Sequence, residues 1–267
     1  MPRSLAAIRY YAGSIVTLLT QFRHPLQVTR LFLGPSRFGR AEIVHRGTGL
    51  RFVVRSKMDI WSVKEAVADR LYEVYGFALE PGWTIVDIGA ALGEFTLVAA
   101  THDAGNRVHA YEPFPESFGL LQENLALNRL QNVSVFPEAV SAEAGDLLLD
   151  ISSGEPLKME SGTAVNAERE HIAVRAVSLG DVLDRLGTAS PDVLKLDCEG
   201  AEYDILMRAA PEHLARIPRI VMEYHDHRAD FQHPALVAFL EHAGYRVDVF
   251  PNVVHPGEIG YMRAIRP

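Results

Sequence analysis

The stretch Thr84-Ile-Val-Asp-Ile-Gly-Ala-Ala-Leu-Gly-Glu94 decides the fold. A short run rich in β-branched residues, closed by glycine, reads as a buried strand, and the segment after it has the composition of a helix. Gly89 and Gly93 permit a tight turn and a close approach of backbone to a ligand. The alternation continues outward from this unit: strand 84–88, helix 93–101, strand 107–111, helix 115–128 and strand 132–136. It resumes with helix 179–186, strand 192–196, helix 201–209, strand 219–224, helix 234–243 and strands 245–250 and 259–265. Apolar strands alternating with helices imply a doubly wound, Rossmann-like α/β domain with seven strands, mainly parallel. The last two strands, joined by the stretch Pro251–Gly257, are expected to form an antiparallel edge hairpin.

Composition is compatible with one large core. The chain has 267 residues, of which 48% are hydrophobic and 22% charged, values of a globular protein and not of a disordered or collagen-like one. The single cysteine, Cys198, cannot close an intrachain disulfide. No apolar run approaches the roughly 18 residues needed to span a bilayer. A cytoplasmic protein is expected, with contact at a membrane surface as an alternative.

Charge is distributed unevenly. Residues 1–40 hold six arginines and no acidic residue, so this arm carries +6; with −8 overall, residues 41–267 carry −14. An acidic body repels phosphate, which argues against nucleic acid as a partner. Within the arm, Leu5, Ile8, Tyr11, Ile15, Leu18, Leu19 and Phe22 predict a helix over 4–22. It is expected to pack on the main domain or in a homodimer; a basic helix lying on an anionic membrane is the alternative. A lead-in segment, 41–80, follows with strands 41–45 and 50–55 and a helix over 62–75. The catalytic domain spans 81–267, with the polar, aperiodic stretch 152–170 expected to be a lid.

In doubly wound sheets, ligands bind outside the carboxyl ends of the strands where strand order reverses. Glu112 ends the second strand, 23 residues after Gly89, where an acid can accept hydrogen bonds from both ribose hydroxyls of an adenosine cofactor. Asp87 and Glu94 flank the glycine turn. A pyrophosphate there would meet two carboxylates, whereas an ammonium and a sulfonium would be welcome, so S-adenosylmethionine is favoured over NAD. Glu138, with Ala139 and Val140, closes the third strand and is placed beside the adenine. Leu194-Lys-Leu-Asp-Cys-Glu-Gly-Ala-Glu202 puts Asp197 and Glu199 at the carboxyl edge of the fourth strand. At the fifth, Glu223-Tyr-His-Asp-His227 supplies His225 as a base titrating near neutral pH. Asp197, Glu223, His225 and Asp226 also offer metal donors, but their spacing matches no specific metal signature and a divalent metal is not favoured.

These segments resemble the FkbM family of methyltransferases. The likeness extends over about residues 50–250. It rests on Val86–Phe95, on Ala110-Tyr-Glu-Pro113 with Asn124 and Asn128, on Glu138–Ser141, and above all on Lys195-Leu-Asp-Cys-Glu-Gly-Ala-Glu202. The resemblance implies a class I methyltransferase fold and methyl transfer from S-adenosylmethionine, usually to an oxygen of a sugar, polyketide or other small molecule. The resemblance carries Asp87, Gly89 and Glu112 over as cofactor residues and Asp197 and Glu199 as active-site residues. The positions of the residues themselves add Ala90, Gly93, Glu94, Pro113, Glu138, Ala139 and Asp197 at the cofactor and His225 as the base at the reacting hydroxyl, with Asp197 or Glu199 as the next choice. The chain departs from the family at Ser178-Leu-Gly-Asp181, where Thr-Leu-Asp is common. A nucleotide-dependent oxidoreductase and a catalytically silent cofactor-binding subunit are the alternatives.

Overall fold

The protein is described from a computed structural model that covers residues 5–151, 158–160, 170–226 and 232–267. The arm forms α1 (Leu5–Gln21) and, with Pro25 in its first turn, a second helix that the apolar spacing did not reveal, α2 (Pro25–Leu33). Strands β1 (Arg37–Val44) and β2 (Arg51–Ser56) pair as an antiparallel hairpin. The single helix expected over 62–75 is instead three pieces: α3 (Lys57–Val63), a π-helical turn over Lys64–Ala68, and α4 (Leu71–Val74). Ser56 and Asp59 start α3 with reciprocal side-chain-to-backbone hydrogen bonds. The helix breaks at Arg70, whose backbone is left-handed at φ 52°, and within the preceding π-helical turn Lys64 is fully buried. Its ammonium lies 4.6 Å from the Tyr10 ring centroid, 4.5 Å from that of Trp61 and 2.6 Å from Asp69 Oδ2. A buried cation needs such partners, and this one ties α1 to the lead-in segment.

The doubly wound unit follows: β3 (Thr84–Ile88), α5 (Glu94–His102), β4 (Arg107–Tyr111), α6 (Pro115–Leu127) and β5 (Val133–Phe136). Between residues 137 and 178 the chain builds a second sheet that the sequence reading did not anticipate, from β6 (Ala139–Ser141), β7 (Gly145–Asp150), β8 (Lys158–Glu160) and β9 (His171–Ser178), in the order β6-β9-β7-β8. Of the expected lid, residues 158–160 are thus a strand paired with β7, while 152–157 and 161–169 lie outside the described residues. The chain continues through α7 (Leu179–Arg185), β10 (Val193–Leu196), α8 (Glu202–Met207), α9 (Pro211–Ala215), β11 (Arg219–His225), α10 (His233–His242), β12 (Arg246–Pro251) and β13 (Ile259–Ile265).

The main sheet runs β12-β13-β11-β10-β3-β4-β5, parallel except for β13, which lies antiparallel between β11 and β12. The expected closing hairpin is therefore present, with β12 outermost. Strand order reverses between β3 and β10, because the chain first builds outward through β4 and β5 and then crosses to the other side. At that seam Gly89 has φ 76°, and a Cβ on it would lie 1.8 Å from the Asp197 carbonyl oxygen. Only glycine satisfies both the left-handed backbone and the contact. Gly89→Ala is expected to destabilise the domain by roughly 3 kcal/mol or more, measured as a lower urea midpoint; an unchanged midpoint would refute the tight seam.

Candidate active site

Asp87 and Lys195 face each other across the seam. Lys195 Nζ lies 2.9 Å from Asp87 Oδ1 and donates to the Gly89 carbonyl at 2.8 Å, while Thr96 donates to Asp87 Oδ2 at 2.6 Å. Both charged side chains are buried. Burial opposes the Lys195 charge, but Asp87, Asp197 and Glu94 outweigh it and hold the ammonium above its usual range. Asp87 does not line the cavity above the strand ends; it holds the lysine beneath it. Ala90 and Gly93 also lie off the cavity. Ala90 is packed with Leu92, Leu97 and Leu121, and Gly93, at φ 94°, caps α5 where a Cβ would sit 2.6 Å from Leu121 Cδ1.

The cavity is lined from the β3–α5 turn by Gly89, Ala91 and Glu94, from the end of β4 by Glu112 and Pro113, and from the β5–β6 connection by Glu138, Ala139 and Val140. Glu112 accepts from the backbone N–H groups of Ala91 and Phe114, each at 2.8 Å, yet burial pushes its carboxyl up to about 7. Glu94 goes up to about 8, again chiefly through burial, with Lys195 opposing and Asp87 and Asp197 adding to the rise. Its Oε2 is buried without a hydrogen-bond partner. Glu138 is held by Arg185, at 3.1 Å for one of its two contacts, and Arg185 also covers the Phe136 ring at 5.0 Å. The fourth wall comes from β2 and α3 through Arg55, Met58, Asp59 and Ser62, to which the sequence reading assigned no role. The Ser56-x-x-Asp59 start signal is the trace they leave in the sequence.

At the β10 edge the cavity reaches Asp197, Cys198 and Glu199. Glu202, from the same motif, is buried and accepts from the Cys198 and Gly200 backbone N–H groups at 2.6 and 2.9 Å. This loop bends through Glu199 at φ 53° and Gly200 at φ 100°. His225, at the end of β11, places Nδ1 3.2 Å from Glu202 Oε1 and Nε2 3.7 Å from Glu199 Oε2. Burial disfavours the charged ring, but Glu202, Glu199 and Asp197 outweigh it and hold the imidazole well above its ordinary range. Both ring nitrogens are directed at carboxylates, and His225, expected as the base, does not line the cavity, whereas Asp197 does.

Asp197, Glu223 and His225 each bring one donor atom within 4.8 Å of the others. Burial raises both Asp197 and Glu223; the Asp197 charge adds to the rise at Glu223, while Glu202 and Asp87 add to that at Asp197 and Lys195 and His225 oppose it. Asp226, grouped with them in the sequence, is instead engaged by the Tyr203 hydroxyl and by the His233 backbone N–H at 2.6 Å. His227 lies outside the described residues.

The FkbM methyltransferase domain model matches residues 87–247, more than half of the chain. The chain belongs to the FkbM methyltransferase family. It is 28% identical over 211 residues to "31-O-demethyl-FK506 methyltransferase FkbM" of Streptomyces tacrolimicus, spanning 69% of this chain and 80% of that one. It is 24% identical over 182 residues to "Hexuronic acid methyltransferase AglP" of Haloferax volcanii, spanning 67% and 72% respectively. A crystal structure of an FkbM methyltransferase from Methylobacillus flagellatus overlays 97% of this chain and 60% of that chain, at 15% identity and a TM-score of 0.49.

As an FkbM-family member the protein is an S-adenosylmethionine-dependent methyltransferase. Its cavity fits that cofactor: Glu94 presents a buried carboxylate oxygen that lacks a partner, and a bound cation supplies one. Beneath it, Lys195→Met would leave the Asp87 carboxylate buried and uncompensated. A loss of about 3–5 kcal/mol in unfolding free energy is expected, and addition of Asp87→Asn should restore part of it. A single variant as stable as the parent would remove the pair from the framework of the site.

Proposed function

We propose that this enzyme methylates a hydroxyl group of a small molecule, with Asp197 accepting the hydroxyl proton. The observation that carries this reading is the cluster of Asp197, Glu223 and His225 at the carboxyl ends of adjacent strands, with Asp197 also lining the cofactor cavity. The printed names of the relatives add support, one specifying an O-demethyl compound and the other a hexuronic acid.

In this reading Glu112 accepts from the ribose hydroxyls, Ala139 and Val140 lie against the adenine with Glu138 at its edge, and Glu94 and Asp197 flank the cationic end. S-adenosylmethionine, when bound, supplies an electrophilic methyl group on a sulfonium sulfur. The acceptor hydroxyl sits over β10 and β11. With the cofactor held by Glu112, Glu138 and Glu94, the hydroxyl oxygen would take the methyl group in exchange for the carbon–sulfur bond, and its proton would pass to the Asp197 carboxylate. S-adenosylhomocysteine and a methyl ether are the products. Alignment supplies most of the acceleration in such a displacement. Lys195, and after it His225, favours the ionised form of Asp197 against the repulsion of Glu202 and Asp87.

Asp197→Asn is expected to lower kcat by about 10²–10⁴-fold, with S-adenosylhomocysteine affinity changed far less. The assay follows labelled methyl transfer into a panel of hydroxylated sugars and polyketides, with the methyl position read by NMR. Transfer to nitrogen or carbon, or full turnover by Asp197→Asn, would overturn the proposal. Cofactor binding without transfer to any acceptor would favour the silent subunit. The three donors also support a second reading, in which a divalent cation held by Asp197, Glu223 and His225 acidifies the hydroxyl. Activity abolished by EDTA and restored by Mg2+ would establish it; activity that survives chelation retains the direct base.

A second test uses Glu94. Its folded pKa of about 8 exceeds the ordinary value of 4.5, so the empty folded protein holds the extra proton and this group's contribution to stability falls as pH rises between those values. Cation binding requires the ionised form. Calorimetry should therefore show affinity for S-adenosylhomocysteine rising with pH below 8, by up to about tenfold per unit. Glu94→Gln should flatten that slope, because the ligand's own titration is common to both proteins. Parallel slopes would exclude Glu94 from the ammonium site.

A further inference from the structure

Five of the eight large apolar side chains exposed among the described residues lie in the two arm helices. On α1, Ala7, Ser14 and Leu18 point inward and are buried, while Ile8, Ala12, Val16 and Leu19 follow one another at steps of four, four and three on the outer side. Val16 is 59% exposed. On α2, Val28 is buried, and Leu26, Arg30 and Leu33 share the outer face, with Leu26 79% and Leu33 68% exposed. Each helix therefore has two apolar sides, one used by the fold and one facing outward. Arg9, Arg23 and Arg30, all exposed, accompany the outer stripes, and residues 1–40 contain no Asp or Glu to balance them. Arg37 and Arg40, further along, reach Glu116 and Glu123 of α6.

We propose that α1 and α2 form a docking surface for an anionic lipid bilayer. Aliphatic side chains set beside arginines suit the boundary between headgroups and acyl chains, where the apolar atoms enter and the guanidinium groups remain with the phosphates. No helix among the described residues is long and apolar enough to cross a membrane, so the helices lie along the surface. A second copy of the chain fits the same stripes less well: symmetric pairing would bring arginine stripes together with no carboxylate from residues 1–40 to neutralise them. The rest of the chain carries −14 and is repelled by anionic lipid, which orients the molecule arm-first. The anchoring of the arm through Lys64 keeps this surface attached to the lead-in segment, whose α3 forms one wall of the cavity.

The test is co-sedimentation of the full chain with phosphatidylcholine vesicles and with vesicles containing about one third phosphatidylglycerol. Binding at least about tenfold tighter to the anionic vesicles, and weakened by salt, is expected. Leu26→Ser/Leu33→Ser and Arg9→Gln/Arg23→Gln/Arg30→Gln should each reduce it by about tenfold or more, while S-adenosylhomocysteine binding, measured alongside, remains unchanged because these residues are outside the cavity. Absence of vesicle binding, or binding that both variants retain, would overturn the proposal. So would a dimer that Leu26→Ser/Leu33→Ser dissociates in the absence of vesicle binding, which would assign the surface to a second copy.

Discussion

The buried ion pair between Asp87 and Lys195 is the constraint on which the site depends. It joins the two strands at which the order of the sheet reverses, and it lies directly under the turn that carries Gly89. Burying two opposite charges is not a cheap source of stability, since desolvation consumes most of the Coulomb attraction. The pair fixes relative position instead: Lys195 reaches Gly89 from below, Thr96 fixes the carboxylate, and Gly89 packs against the Asp197 carbonyl. The turn at the end of β3 and the acidic end of β10 are thereby held as one edge. A wider seam would separate Glu94 from Asp197, and with them the two carboxylates proposed to flank one cation.

Above that pair, carboxyl groups are crowded so closely, and so far from water, that the protein without ligand favours their protonated forms. Glu94, Glu112, Asp197 and Glu223 all have raised proton affinities, and in each case burial leads the causes. Lys195 and His225 offset part of the cost of ionising them. In the proposed reading a cation that enters favours their ionised forms, so folding has already supplied the energy of bringing the carboxyl groups together. His225 belongs to this balance, with Nδ1 directed at Glu202 and Nε2 at Glu199.

The lead-in segment shows a different use of a buried charge. Lys64 lies in the π-helical turn that follows α3, and its ammonium meets Tyr10, Trp61 and Asp69 together. Those contacts fasten α1 to the body. They also leave the outer sides of α1 and α2 unused by the core, which separates the chain into an acidic body with the cavity and a basic, apolar-edged arm.

Much of this architecture was legible in the order of residues. The seven main strands were placed to within about two residues, because buried parallel strands are short β-branched runs and their connecting helices are punctuated by glycine, proline and capping residues. The segment from 139 to 178 was not legible: β6 has three residues, and β7 and β9 become recognisable only by pairing across an insertion. The long helix over 62–75 is broken at Arg70, whose left-handed backbone the apolar spacing does not reveal. By itself the sequence determined the alternation of elements, the acidic motifs at the strand ends and the charge contrast between arm and body, all properties of local spacing and composition. Only the tertiary structure decided that Asp87 serves Lys195, that Asp226 turns away to Tyr203 and His233, and that His225 is directed at Glu202 and Glu199. Those outcomes depend on which charges folding brings within a few ångströms and how much water it removes, and neither quantity is encoded in spacing along the chain.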